Sequence, residues 1–150
     1  MPEGISFRRA DASDLSAIIE LRIEFERITR DSGSLDEDSR RAELATLFGA
    51  DLTEGRLLCW LAEDGNRAIA QAALRVRPGG TGELLNVYTD PAFRGRGIGS
   101  ALVGLAIKEA RALKLSRITL QPTEDSRRIY VRSGFRIEGR RMILNIEAIP

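Results

Sequence analysis

Residues 83–112 read ELLNVYTDPAFRGRGIGSALVGLAIKEARA. This stretch limits the possible folds more than any other. A β-type run (residues 83–89) meets a breaker at Asp90-Pro91. Glycine then occupies every second position, Gly95, Gly97 and Gly99, with arginine between. A helical pattern follows, with Ile98, Leu102, Leu105, Ala106, Ala110 and Leu113 spaced to share an inward face. Strand, glycine-rich turn and helix aim the unpaired N–H groups of a first helical turn at an anion, and the helix dipole reinforces them. Glycines let those amides come close to phosphate oxygens. Residues 94–100 therefore read as a phosphate cradle.

The spacing discriminates among phosphates. A dinucleotide turn needs G-x-G-x-x-G, and counting from Gly95 the third glycine would fall on Ser100. A Walker loop needs a Gly-Lys pair, which the chain lacks. What stands here is Arg94-x-x-Gly97-x-Gly99, after a strand ending Val87-Tyr88-Thr89. This resembles the acetyl-CoA signature [QR]-x-x-G-x-[GA] of the GNAT N-acetyltransferase family. Residues 120–135, LQPTEDSRRIYVRSGF, resemble that family's late segment, where a strand runs into a short helix ending Tyr-x-x-x-Gly-Phe, here Tyr130 to Phe135.

The resemblance implies an α/β (α+β) fold: a mixed, mostly antiparallel sheet of about seven strands with helices on both faces. Its central parallel pair would splay at the acetyl-CoA site. It implies that Arg94, Gly95, Arg96, Gly97, Ile98, Gly99 and Ser100 hold the coenzyme's diphosphate. Val87 would offer its backbone N–H to the thioester carbonyl, with Tyr88 and Thr89 following along the pantetheine arm. Tyr130 would be the general acid for the departing thiolate. Glu83, eleven residues before Arg94, matches the general-base glutamate of the histone-acetylating branch, although many members deprotonate the amine through waters instead. Where many members have an asparagine seven residues before the tyrosine, this chain has Thr123. It resembles a subgroup with Thr-x-x-[GS], so coenzyme contact would pass through Thr123 and Ser126. Arg127 and Arg128 could pair with the 3′-phosphate.

Outside these segments the pattern is also legible. Residues 5–9 alternate as a half-buried strand. Asp11 or Ser13 can cap a helix carrying Leu15, Ile18, Ile19, Arg22, Ile23 and Glu26, which ends at Asp31-Ser32-Gly33. Ser34-Leu35-Asp36-Glu37 reads as a capping box for a second helix to about Phe48. Residues 56–62 and 67–77 flank the turn Asp64-Gly65-Asn66. Residues 78–82 reverse the chain into 83–89, which makes an antiparallel meander. A helix near 97–114 crosses over to 117–121, so that strand should run parallel to 83–89. A helix over 124–133 and strands at 135–138 and 141–146 complete the order.

At 150 residues the chain suits one domain, residues 1–150. One cysteine forms no internal disulfide, no apolar run spans a membrane, and the start is unlike a signal peptide, so a cytoplasmic location is expected. Residues 1–93 carry 11 Lys/Arg against 17 Asp/Glu, and residues 94–141 carry 12 against 4. The basic half suits coenzyme A, and the acidic half suits a protonated amine. The family resemblance implies that the first two helices and their connection border the acceptor groove, which makes Glu20, Glu24, Glu26, Asp36, Glu37 and Asp38 candidates to meet that amine. Nucleic-acid binding is disfavoured by scattered basic residues and 5% aromatic content. The chain has no histidine, which removes Ser-His and Cys-His mechanisms and leaves carboxylates, tyrosine or water. Cys59 sits in a strand-like apolar run and reads as a small hydrophobe rather than an acyl carrier.

The expectation is an acetyl-CoA-dependent N-acetyltransferase acting on a primary amine by direct attack, with no metal. A non-catalytic acyl-CoA-binding module and an unrelated nucleotide-binding domain are the alternatives. Strand edges near the C-terminus make a homodimer reasonable.

Overall fold

The computed structural model describes residues 4–29, 36–123 and 126–146. Among these, strands β1 (Ile5–Arg9), β2 (Leu57–Asp64), β3 (Arg67–Arg77), β4 (Thr81–Thr89), β5 (Arg117–Leu120), β6 (Arg136–Glu138) and β7 (Arg141–Asn145) form one mixed sheet. Their spatial order is β1-β2-β3-β4-β5-β7-β6. Helices α1 (Leu15–Thr29) and α2 (Glu37–Thr53) join β1 to β2; α3 (Ile98–Ala112) joins β4 to β5, and α4 (Arg127–Arg132) precedes β6. As the crossover helix requires, β4 and β5 are parallel, while the remaining pairs are antiparallel. The hairpin β6–β7 folds back so that β7, the longer and more apolar strand, takes the place beside β5. None of the described helices is long and apolar enough to cross a membrane.

Strand alternation sorts the apolar side chains onto two faces. Leu58, Trp60, Ala72, Leu74, Leu84, Ile118, Leu120 and Met142 pack against α3, Tyr130 and Phe135. Leu57, Cys59, Leu61, Ala73 and Tyr88 pack against α1 and α2. Helices on both faces explain why β2 is an unbroken apolar run rather than an alternating one.

Several boundaries differ from the sequence expectation. Asp11, not Ser13, caps the turn before α1, accepting from the Ser13 N–H at 2.9 Å. α2 is capped by Asp36, which accepts from the Ser39 N–H at 2.7 Å. Ser34 and the helix-ending residues 31–33 lie outside the described residues, as do 124 and 125. α2 also runs on to Thr53, because Leu52 continues its buried stripe. The inward face of α3 is Ile98, Leu102, Val103, Ala106, Ile107 and Ala110; Leu113 is 45% exposed. A 3.6-residue period fits either stripe, and only the sheet it lands on decides between them.

One buried charge ties this scaffold together. Glu26 on α1 is 1% exposed and accepts from Arg22 and Arg40, at 2.7 Å and 2.6 Å. Burial alone would raise its pKa, but hydrogen bonds from Arg40 and Arg22 outweigh that and hold the carboxyl below its ordinary value. The pair's stabilisation is complete above the unfolded carboxylate pKa and is lost as the pH falls through the lower folded value. Removing a buried carboxylate takes from two guanidiniums the charge they share, so Glu26→Ala should cost about 3 kcal/mol in urea denaturation at neutral pH. A loss below about 1 kcal/mol would show that the arginines find other partners and that the clasp is dispensable.

Candidate active site

The glycine loop adopts the conformation its residues suggest. Gly95 and Gly97 have φ of 80° and 78°, where a side chain would be strained. Gly97 caps α3 without a side-chain bond, and the first helical bond runs from the Ala101 N–H to the Gly97 carbonyl. The N–H groups of Ile98, Gly99 and Ser100 therefore have no partner among the described residues. Gly99 answers a different demand. A Cβ there would stand 3.1 Å from Ile129 Cδ1 on α4. Arg94 donates from Nε to the Thr89 carbonyl at 3.1 Å, and its guanidinium lies over Tyr88; Arg96 lies over Phe93, 5.3 Å from the ring centre. Both arginines are thus held beside the open amides, an arrangement suited to an anion.

β4 leads away from this cradle into a split sheet. Its parallel register with β5 ends at Leu84↔Leu120, although β4 continues to Thr89. On its other side, Gln71↔Tyr88 and Ala73↔Leu85 are paired, so Asn86 and Val87 together oppose the single residue Ala72. This is a bulge, and it breaks the ladder on the strand bordering the split. Asn86 supplies the extra residue at φ 54°, in the left-handed region that asparagine tolerates. Its Oδ1 accepts from Arg22 Nη1 at 3.1 Å, while its buried Nδ2 has no partner among the described residues. The sequence reading passed over Asn86 as one more strand residue. A polar residue inside a buried β run was the signal available.

Tyr88 and Thr89 sit on β4 as expected, but the Tyr88 ring is occupied. It stacks on Phe25, and its hydroxyl donates to Glu24 at 3.3 Å. Burial and the Glu24 charge push the phenol up to about 12. What β4 can offer a ligand along Val87 to Thr89 is therefore mainly backbone.

Tyr130 lies on α4, 4% exposed, with Phe135 edge-on at 5.8 Å. Burial raises its pKa to about 12, partly offset by the nearby Ser126 hydroxyl. Ser126 also donates to the Thr123 carbonyl at 3.0 Å and accepts from Thr123 Oγ1 at 2.9 Å. The two hydroxyls expected to touch a coenzyme thus build the turn that presents Tyr130.

Glu83 is the third residue of β4, half-buried, and its Oε1 accepts from Arg77 at 2.7 Å. Its parallel partner is Thr119 on β5. Of the acids proposed to meet an amine, Glu20 and Asp38 pair with Arg41, Glu37 with Arg27, and Glu26 lies in the buried clasp. Asp36 is a helix cap. Glu24 is the one in contact with a β4 side chain. Cys59 is fully buried, and burial drives its thiol up to about 12.

Residues 16–135 match the family model described as "Acetyltransferase (GNAT) family". A glucosamine 6-phosphate N-acetyltransferase of Trypanosoma brucei brucei is 27% identical, over 95% of this chain and 96% of its own length. A mycothiol acetyltransferase of Beutenbergia cavernae is 35% identical over 66% of this chain, which spans 33% of that longer protein. A crystal structure from Clostridium acetobutylicum, described as a predicted acetyltransferase with acetyl-CoA, superposes with a TM-score of 0.78 at 28% identity. It covers 90% of this chain and 92% of that one. With the matched model spanning the split strand, the cradle and Tyr130, the chain belongs to the GNAT acetyltransferase family.

Proposed function

We propose that residues 1–150 act as one domain that transfers an acetyl group from acetyl-CoA to a primary amine by direct attack in a ternary complex. The observation that carries this reading is that β4 is broken on both sides at once. It loses β5 beyond Leu84, bulges from β3 at Asn86-Val87, and feeds directly into the open amides of α3. A thioester arm can lie in such a split as an added strand would, using main-chain groups. The names of the Trypanosoma and Clostridium relatives support an amine acceptor and an acetyl-CoA donor.

In this reading Arg94 to Ser100 hold the diphosphate. The Val87 N–H faces the thioester oxygen, where fixed donors stabilise the charge that develops. Glu83, directly or through water, takes the ammonium proton. Tyr130 protonates the leaving thiolate. The transfer leaves the charge on a phenolate that burial disfavours, and the proton released by the amine returns to it as the product forms, which closes the cycle. Thr123 and Ser126 steady that turn. A deeply buried thiol pushed up to about 12 is a poor nucleophile, which favours direct attack over an acetyl-cysteine.

Three measurements test the reading. Thiol release from acetyl-CoA with a panel of amines should be detectable, and Tyr130→Phe should lower kcat about a hundredfold with unchanged coenzyme affinity. Unaltered turnover in that variant would dismiss Tyr130 as the acid. Tight coenzyme binding without turnover of any amine would favour a binding module instead. Gly97→Ala has open space for its methyl but a forbidden φ. It should therefore weaken coenzyme A binding by about tenfold through the ~1–2 kcal/mol cost of that conformation. Equal affinity in calorimetry would remove the loop from the site. Cys59→Ala should keep turnover within about threefold of wild type, and abolished turnover would restore a covalent route.

A further inference from the structure

The face of the sheet that carries α1 and α2 also carries a basic cavity near the lower end of β4. Strand alternation puts Thr81 and Glu83 of β4, Arg117 and Thr119 of β5, and Arg141 of β7 on this face. Their neighbours Leu84, Ile118, Leu120 and Met142 point into the opposite core. With Arg77 from β3 these side chains line a cavity of about 220 Å³. Three guanidiniums meet one carboxylate there. Glu83 engages Arg77, whereas the guanidiniums of Arg117 and Arg141 make no hydrogen bond or ion pair with any described residue. Three like charges gathered around one hollow with a single counter-charge repel one another unless an anion joins them.

Position ties the cavity to the reaction. Its wall includes Leu120, the last β5 residue paired to β4, and Gln121, the first beyond it, so it reaches the mouth of the split. It lies at the Thr81 end of β4, whereas the glycine-loop cradle follows the Thr89 end. The coenzyme's phosphates are therefore drawn to a different place. Glu83 lines the cavity on the strand that carries the bulge, where its carboxylate can face an ammonium group.

We propose that the acceptor is a small amine carrying a phosphate or carboxylate, and that Arg77, Arg117 and Arg141, with the Thr81 and Thr119 hydroxyls, seat that anion while the amine points toward the bulge. This rests on the acetyltransferase reading above. Guanidinium forks match both anions with paired N–H bonds, and the cavity suits a single small group.

Matched acceptor pairs test it: phosphoethanolamine against ethanolamine, and β-alanine against propylamine, followed by thiol release from acetyl-CoA. Anion-bearing members should show kcat/KM at least about tenfold higher, mostly through KM. The phosphate and carboxylate arms tell the two anions apart. Arg117→Ala and Arg141→Ala should collapse the ratio of charged to neutral acceptor without changing coenzyme A affinity, and the lysine variants should recover part of it. Turnover with a ratio of one or below overturns the anion pocket and leaves the acetyltransferase reading standing. If no amine is turned over, equilibrium dialysis of phosphoethanolamine against protein saturated with coenzyme A decides. Millimolar binding weakened by Arg117→Ala upholds the pocket while the catalytic reading falls, and no binding overturns the pocket.

Discussion

The whole arrangement depends on one strand pairing that stops early. β4 and β5 are held side by side from Thr81↔Arg117 to Leu84↔Leu120 and then separate. A parallel pair flanked by helices is normally buried and complete, because unpaired backbone groups inside a protein are costly. Leaving five residues of β4 without β5 is tolerable only if another polar partner can lie there. The bulge at Asn86-Val87 adds to the same effect from the other side, since it disturbs the ladder with β3 at the level where β5 departs.

The strain at that point is supported from behind. Asn86 holds a left-handed conformation and is tied through Oδ1 to Arg22, which is tied in turn to Glu26 and so to Arg40 on α2. The buried clasp between the first two helices and the geometry of the bulge are thus one connected network. Networks of this kind hold a single arrangement when every member is satisfied. Here one member is not: the Asn86 Nδ2 is buried and has no partner among the described residues.

Charge has been distributed with equal economy of place. Among the described acids of the N-terminal part, Glu20, Glu37 and Asp38 are matched to arginines of α1 and α2. A count of charges along the chain cannot see such pairing across helices. The converse holds at β3, β5 and β7. Arg77, Arg117 and Arg141 are far apart in sequence and look like ordinary surface arginines, yet the sheet places them around one cavity.

By itself the sequence determined what local chemistry controls. The glycines at 95 and 97 require the loop their φ values now show, the helical period requires α3, and a helical crossover requires a parallel β5. The motif around Tyr130 likewise marked a residue that the structure holds buried above a hydroxyl turn. Only the tertiary structure decided which stripe of α3 faces inward, that β7 lies inside β6, that Asn86 is the bulged residue, and which charges meet. Those outcomes depend on contacts between residues tens of positions apart. Local propensity is blind to them, because a period or a charge has no preferred partner until the sheet brings one within reach.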